Sequence, residues 1–319
     1  MSAVVEKKGT RKGGQAFNGD AGSLKINGHE VKLSNLSKVL YPRTGFTKGQ
    51  IIDYYLRIAP VMLPHLKDRP LTLKRYPNGV EAPFFYEKKC PTFRPDWVQT
   101  VSVYSKHNED DIDFCVVNDV ATLIWAVNLA DLEFHTLLAK GKTVDSPTMI
   151  VFDLDPGEPA TLLECCRVGC WLHAVLEKLG LQSFAKTSGS KGLQVYVPLN
   201  SGATYDETGA FAKKLAEGLE EQNPEQVVAK MNKNLRGGKI FVDWSQNSRH
   251  KTTVCVYSLR AKDRPTVSTP VSWDEVESAV VTKNADKLVF LPDEVLRRVE
   301  KLGDLFKPLL KLKQKVPKI

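Results

Sequence analysis

Long apolar runs are missing from this 319-residue chain. None reaches the roughly 18 consecutive residues that mark a membrane-spanning helix. The first residues, MSAVVEKKGTRKGGQ, lack the apolar stretch of a secretory signal. Cysteine is sparse and unpaired in spacing: Cys90, Cys115, Cys165, Cys166, Cys170 and Cys255 form no CxxC, and no CxxC…HxxxH pattern exists. Cys165, Cys166 and Cys170 fall in a segment with amphipathic helical spacing, where they read as small core residues. Neither a GxxxxGK[ST] phosphate loop nor an internal repeat is present. These absences point to a soluble protein of a reducing cytoplasm, not a membrane protein.

What is abundant is ordinary globular material with a cationic excess. Hydrophobic residues make up 42% and charged residues 26%, values that rule out wholesale disorder. The formal net charge of +8 favours a polyanionic partner, because phosphate contacts release counterions, but it carries no sequence preference.

Residues 1–20 are polar and basic and read as a flexible tail. The expected organisation is a single domain over 21–319, with a smaller N-terminal α/β lobe to about 145 and a catalytic lobe from about 146. Asn27-Gly28 between alternating residues signals a β-hairpin. Thr47 and Gln50 have capping-box spacing ahead of Ile51, Tyr54, Tyr55 and Ile58, which predicts a helix. RPLTLKRYP reads as a strand, FFYEKKCPTFRPDW as an aromatic loop, and NDVATLIWAVNLADLEFHTLL as a helix ending in a short extended piece. Beyond it, TMIVFDLDP predicts a strand and residues 161–179 a helix stopped by Gly180. SFAKTSGSKGLQVYVPL predicts two strands about a Gly/Ser turn, residues 205–222 a helix, and KIFVDW and TTVCVYSLR two more strands. WDEVESAV and PDEVLRRVEKLGDLFKPLLKL read as helices. Strands joined by both helices and hairpins imply an α+β fold with a mixed or antiparallel sheet flanked by helices.

Three segments carry chemistry. In DLDPG, Asp153 and Asp155 are two apart on a strand, so both point to one face, and Pro156-Gly157 ends the strand there. Adjacent carboxylates repel unless a divalent cation lies between them. A solvated strand end would look the same, and nucleases, glycosyltransferases and phosphatases also use DxD. In KTSGSKG, residues 186–192, turn N–H groups and Lys191 suit a phosphate, though an ordinary hairpin turn has the same composition. In KIFVDWSQN, Phe241 and Asp243 share one strand face while Ile240 and Val242 take the other. Arg260 ends TTVCVYSLR; if that strand pairs with the Asp243 strand, carboxylates and cation converge. Three carboxylates can hold two Mg²⁺ or Mn²⁺ ions about 3.5–4 Å apart. Ser188, Lys191 and Arg260 would then neutralise the β- and γ-phosphates of a nucleotide.

The ordered series DLDPG, KTSGSKGL-x-VYVPL, FVDWSQN, VYSLRA and TVSTPVSWDEV closely resembles the polymerase domain of bacterial ligase D, from about residue 24 to about residue 305. That family lies in the archaeo-eukaryotic primase superfamily and serves non-homologous end joining. The resemblance implies a primase-like catalytic core. It also implies Mn²⁺-favoured nucleotide addition with a ribonucleotide preference, gap filling at double-strand breaks, Ku and a DNA ligase as partners, and a cytoplasmic, nucleoid-associated setting. By the same resemblance Asp153, Asp155 and Asp243 ligate metal, and Ser188, Lys191 and Arg260 contact the triphosphate. His135 in LEFH lies near the incoming nucleotide. Lys74 in LTLKRYPNG and Phe85 in APFFYEK are the nucleotide-side lysine and the base-stacking ring, with Phe84 as the alternative. Asn35, Lys38 and Lys48 match the pocket that grips a 5′-phosphate on the downstream side of a gap. The family histidine expected near the phosphates or metal is Gln194 here, which can donate a hydrogen bond but cannot carry positive charge.

No KxDG ligase nucleophile follows the polymerase region, so a standalone polymerase and a piece of a longer ligase are both expected forms. Two other functions use the same residues: a metal-dependent nuclease, and a non-catalytic module that binds DNA ends.

Overall fold

The computed structural model describes residues 5–6, 19–105 and 109–318. Most of the basic tail lies outside them, although Val5–Glu6 pairs antiparallel with the first long strand. That strand, β1 (Ala21–Ile26), and β2 (His29–Ser34) form the hairpin read from Asn27-Gly28. Both turn residues have positive φ, 50° and 85°, the primed turn that matches strand twist.

Helix α1 (Lys48–Leu66) starts where Thr47 and Gln50 cap each other reciprocally. It buries Ile51, Ile52, Tyr55, Ile58 and Met62 against α2 (Val120–Asn128) and the sheet beside it. That sheet has six strands. Four come in chain order: β3 (Leu71–Arg75), β4 (Phe85–Glu87), β5 (Thr100–Ser105) and β6 (Asp110–Cys115). They are followed after α2 by β7 (Asp131–Leu137).

Two segments of this half differ from expectation. The aromatic stretch at FFYE is a strand, because it finds a partner in β3. The helix through NDVATLIWAVN ends at Asn128, and Ala130, at φ 62°, turns the chain into a seven-residue strand longer than the short extended piece expected.

The second half holds β8 (Met149–Pro156), α3 (Leu162–Lys178), β9 (Phe184–Thr187), β10 (Leu193–Pro198), α4 (Tyr205–Gln222), β11 (Val227–Val228) and β12 (Ile240–Asp243). β13 (Thr252–Val254), β14 (Pro270–Val271), α5 (Trp273–Thr282) and α6 (Pro292–Leu302) complete it. Its sheet runs β11-β12-β8-β10-β9-β14, antiparallel except for the parallel β11–β12 pair. The mixed α+β reading therefore holds. α3, capped by Thr161 and Glu164, packs on β8 and β10. Cys165, Cys166, Leu172 and Leu176 are buried there with Leu154 and Leu193. Each such aliphatic side chain contributes roughly 1.5–3 kcal/mol by leaving water, so a charge at Leu154 would unseat the strand that carries the aspartates.

β13 does not pair with the Asp243 strand. It adds to the first sheet beside β7, with Val254 opposite His135, so the C-terminal half supplies an edge strand to the N-terminal sheet. The TTVCVYSLR strand also stops at Val254, where Cys255 begins a turn. One pair of thiols departs from the expectation of reduced cysteines: Cys90 and Cys115 are joined in a disulfide, with Cα atoms 4.9 Å apart. Cys165, Cys166, Cys170 and Cys255 are free. No helix among the described residues is long and apolar enough to cross a membrane.

Candidate active site

Directly opposed residues of an antiparallel pair share a face. Asp153 on β8 is opposite Asp243 on β12 and also opposite Gln194 on β10, and Gln194 is opposite Lys186 on β9. The row Asp243–Asp153–Gln194–Lys186 thus crosses four strands on one face, and Asp155, two residues on from Asp153, lies on the same side. Asp155 is opposite Phe241, as the alternation in KIFVDW requires.

Asp153, Asp155 and Gln194 open into a cleft of about 680 Å³, while Asp243 and Lys186, at the two ends of the row, do not line it. His135 and Thr72 of the first sheet, Arg260, Arg236, Ser188, Lys191 and Gln194 line it with Asp153 and Asp155.

The carboxylates strain against one another. Burial and then the Asp155 charge push Asp153 up to about 7, with Gln194 and Lys186 pulling the other way. Desolvation by the cleft walls and then Asp243 raise Asp155. Asp153 Oδ1 is buried with no hydrogen-bond partner. Asp243 is held by its own loop: Ser245 N and Gln246 Nε2 donate to it at 3.0 and 2.9 Å, and Lys251 Nζ lies 3.6 Å away. Among the described residues no three His, Cys, Asp or Glu side chains are gathered closely enough to enclose an ion. The backbone register brings the three aspartates to one place without closing them on a point. An orphaned carboxylate oxygen amid like charges fits a hard divalent cation, for which carboxylate oxygens are the natural ligands.

The turn after β9 is organised around Ser188. Its Oγ accepts from Ser190 N at 3.2 Å and Gly192 N at 3.1 Å, so these N–H groups cap the turn itself instead of pointing outward. A Cβ on Gly192 would stand 2.2 Å from Leu154 O, and one on Gly189, at φ 67°, would stand 2.6 Å from the Val267 carbonyl carbon. Only glycine lets this turn lie against the aspartate strand and the Arg260 segment. Arg260 Nη1 donates to Ser188 O. The arginine and the turn therefore meet, although β13 takes a different partner from the one the sequence suggested. Lys191 is exposed and pairs with Glu158 at 2.7 Å.

Gln194 is buried opposite Asp153, whose pKa it pulls down, and accepts from Tyr196 Oη at 3.2 Å. Lys186, fully buried, donates to Ser268 Oγ at 2.6 Å. Burial lowers its pKa, with Asp153 opposing.

Behind Tyr86, which lines the cleft, Lys74 Nζ lies 4.5, 5.3 and 5.5 Å from the ring centroids of Phe84, Tyr76 and Tyr86. Phe85 sits instead over the Arg75 guanidinium at 5.1 Å. Strand alternation explains the split: Tyr86 is opposite Lys74, and Phe85 opposite Arg75. The ring that reaches the cleft is Tyr86.

His135 Nε2 is 2.9 Å from Glu133 Oε2. Burial lowers the His135 pKa, and Glu133 only partly offsets this. Glu133, 1% exposed, also contacts Lys74 and Arg260. Burial alone would raise its pKa, but the His135 hydrogen bond and the charges of Arg260, His135 and Lys74 outweigh it and hold the carboxyl well below the usual range.

Asn35, Lys38 and Lys48 form a separate patch that does not line the cleft. Asn35 turns the chain at φ 54°, Lys38 N bonds Asn35 O at 3.1 Å, and Lys48 N bonds Lys38 O at 2.9 Å. Lys48 opens α1, whose N-terminal dipole adds to the two ammonium groups. Burial, then Lys38, lowers the Lys48 pKa to about 8, while Asp20 opposes. Lys48 Nζ donates to Ser34 O at 2.7 Å and Lys38 Nζ to Asn78 Oδ1 at 3.2 Å.

Sequence reasoning missed Tyr86, Glu133, Lys186 and Arg236. Alternation of charged and apolar residues in LEFH could have flagged Glu133 as a partner of His135. Nothing local marks Arg236, whose guanidinium stacks 3.6 Å from the Phe241 ring centroid.

Residues 47–306 match the family described as LigD, primase-polymerase domain. The multifunctional non-homologous end joining protein LigD of Mycolicibacterium smegmatis is 42% identical over 281 residues, 88% of this chain and 36% of that protein. The bifunctional non-homologous end joining protein LigD of Bacillus subtilis is 33% identical over 277 residues, 86% of this chain and 43% of that protein. The chain thus spans less than half the length of these relatives. A solved structure, the polymerase domain from Mycobacterium tuberculosis ligase D in complex with DNA, superposes with a TM-score of 0.81 at 38% identity, covering 89% of this chain and 99% of that one. With matches of this extent over the segments that build the cleft, this chain belongs to the LigD primase-polymerase domain family.

Proposed function

We propose that this chain is a DNA-end-directed nucleotidyltransferase. It fills gaps and extends 3′ ends, with a preference for ribonucleotides, in double-strand break repair by non-homologous end joining. The observation that carries the reading is the cross-strand pairing of Asp153 with Asp243, where Asp153 and Asp155 line a cleft shared with Ser188, Lys191 and Arg260. A carboxylate set alone suits a nuclease equally; cations on the cleft wall suit a triphosphate, and family membership favours polymerisation over cleavage or simple end binding.

Asp153, Asp155 and Asp243 would hold two divalent ions, Mn²⁺ or Mg²⁺, which when bound supply charge neutralisation and activation of the 3′-hydroxyl. The chain's own groups do the rest. Arg260, braced on Ser188 O, presents a fixed cation to the phosphates. Lys191 exchanges its exposed partner Glu158 for phosphate at little cost, since surface pairs are worth about 1 kcal/mol or less. Gln194 orients Asp153 from the side opposite Asp243. His135, neutral at neutral pH, offers a hydrogen bond in place of a charge. Asn35, Lys38 and Lys48 receive a 5′-phosphate and so distinguish a broken end from continuous duplex. Ku and a DNA ligase are the proposed partners, in the nucleoid of the cytoplasm.

The test is a labelled duplex with a short gap, with and without a 5′-phosphate, incubated with Mn²⁺ and NTPs or dNTPs. Elongated product, increased by the 5′-phosphate, is expected. Shortened product without added nucleotide would favour a nuclease, and phosphate-dependent binding without turnover an end-binding module.

A further inference from the structure

The nucleotide-side groups Lys74, His135 and Arg260 come from distant parts of the chain, yet they meet at one carboxylate. Glu133 Oε1 lies 3.4 Å from Lys74 Nζ and accepts from Ala261 N at 2.9 Å. Its Oε2 lies 2.9 Å from His135 Nε2 and 3.2 Å from Arg260 Nε. Oε1 therefore serves two donors, while Oε2 bonds His135 and meets Arg260 Nε as an ion pair without hydrogen-bond geometry, and the group is 1% exposed.

Register explains the convergence. Glu133 is directly opposite Lys74 across β7–β3, so the two share a face, and His135 lies two residues further along that face. Arg260 and Ala261 arrive from the turn after β13, which pairs with β7 at His135.

We propose that Glu133 is a positioning residue that presets Lys74, His135 and Arg260 as one array for an incoming nucleotide. The inference rests on the nucleotidyltransferase reading above. Without this anion the two fixed charges and the imidazole would repel or swing apart, and substrate would have to order them on binding. With it, part of that ordering is complete before substrate arrives. A mere staple between β3 and β7 would need only the Lys74 contact. The contacts to His135, Arg260 and Ala261 N join the staple to the two groups that line the cleft, His135 and Arg260.

Glu133→Gln is the discriminating change. An amide keeps the shape but presents N–H₂ where Oε2 or Oε1 now accepts, setting donor against donor. Extension of a gapped, 5′-phosphorylated duplex is followed with ATP as the varied substrate, together with DNA affinity by anisotropy and the melting temperature. E133Q should raise KM for ATP by roughly tenfold or more and leave 5′-phosphate-dependent DNA affinity within about twofold of wild type. Unchanged KM and kcat in folded E133Q overturns the proposal, as does a loss of DNA affinity and thermal stability with KM unchanged. Should E133Q fail to fold, Glu133→Asp is measured the same way: it keeps the charge but withdraws the carboxylate by one methylene. An elevated KM for ATP in that variant upholds the proposal, and a wild-type KM overturns it. If the wild-type protein neither binds ATP nor extends DNA, the underlying reading fails first, and this inference with it.

Discussion

Asp153 and Asp243 are cross-strand partners on adjacent antiparallel strands, while Asp153 Oδ1 is buried with no hydrogen-bond partner. A carboxylate placed beside two others and left unsatisfied is costly to the fold, and that cost is expected where a cation is to be bound.

Replacing Asp153 by Asn should therefore separate stability from activity. Nucleotide addition should fall by about a thousandfold or more. The metal-free variant should be more stable than wild type at pH 8, by roughly 1–3 kcal/mol. The sign follows from Asp153 being raised to about 7 from an ordinary 3.8. Between those values the folded protein keeps a proton that the unfolded chain has released, so wild-type stability declines relative to the variant as pH rises through the window. Melting both proteins in chelator from pH 4.5 to pH 8 checks this; a difference independent of pH would contradict the assigned environment.

Lys48 should make 5′-phosphate recognition sensitive to alkaline pH. Its pKa is lowered to about 8 by burial and then by Lys38. Below that value the ammonium is present for the phosphate; above it a proton must be taken up on binding. The advantage of phosphorylated over unphosphorylated ends should shrink as pH rises beyond 8, by up to about tenfold per pH unit. Lys48→Arg keeps its charge and should flatten the profile. Anisotropy titrations of the two DNAs at pH 7, 8 and 9 decide the matter.

The aromatic wall yields a ranking. Tyr86 lines the cleft and Phe84 packs with Tyr76 against the Lys74 ammonium, whereas Phe85 covers Arg75. Tyr86→Ala should weaken nucleotide use most, by roughly 1–3 kcal/mol if the ring carries a base. Phe84→Ala should follow, by loosening Lys74, and Phe85→Ala should do least. Steady-state KM values for the three variants test the order, and a dominant Phe85 effect would favour the assignment drawn from the resemblance.

Much of the local structure was legible in the sequence. The capping pair at Thr47, the Gly180 stop, the Asn27-Gly28 hairpin and the alternation around DLDP are local signals, and the corresponding elements formed where they were read. FFYE and the strand after Ala130 were less legible, because their strand form comes from distant partners: FFYE pairs with β3, and β7 pairs with both β3 and β13. The partner of TTVCVYSLR was also unreadable. An edge strand joins whichever sheet presents free backbone groups, and here that was the first sheet.

The sequence by itself determined which residues could carry the chemistry: three aspartates, a glycine-bounded serine turn, an arginine and a lysine pair, in an order that marks one family. Only the tertiary structure decided how they meet. The register between β8 and β12 sets Asp243 opposite Asp153, strand alternation turns Tyr86 instead of Phe85 toward the cleft, and the β3–β7 pairing brings Glu133 beneath the cations. The reason is physical. Helix caps and hairpin turns are governed by neighbours a few residues away, whereas register between distant strands is chosen by the packing of both faces at once.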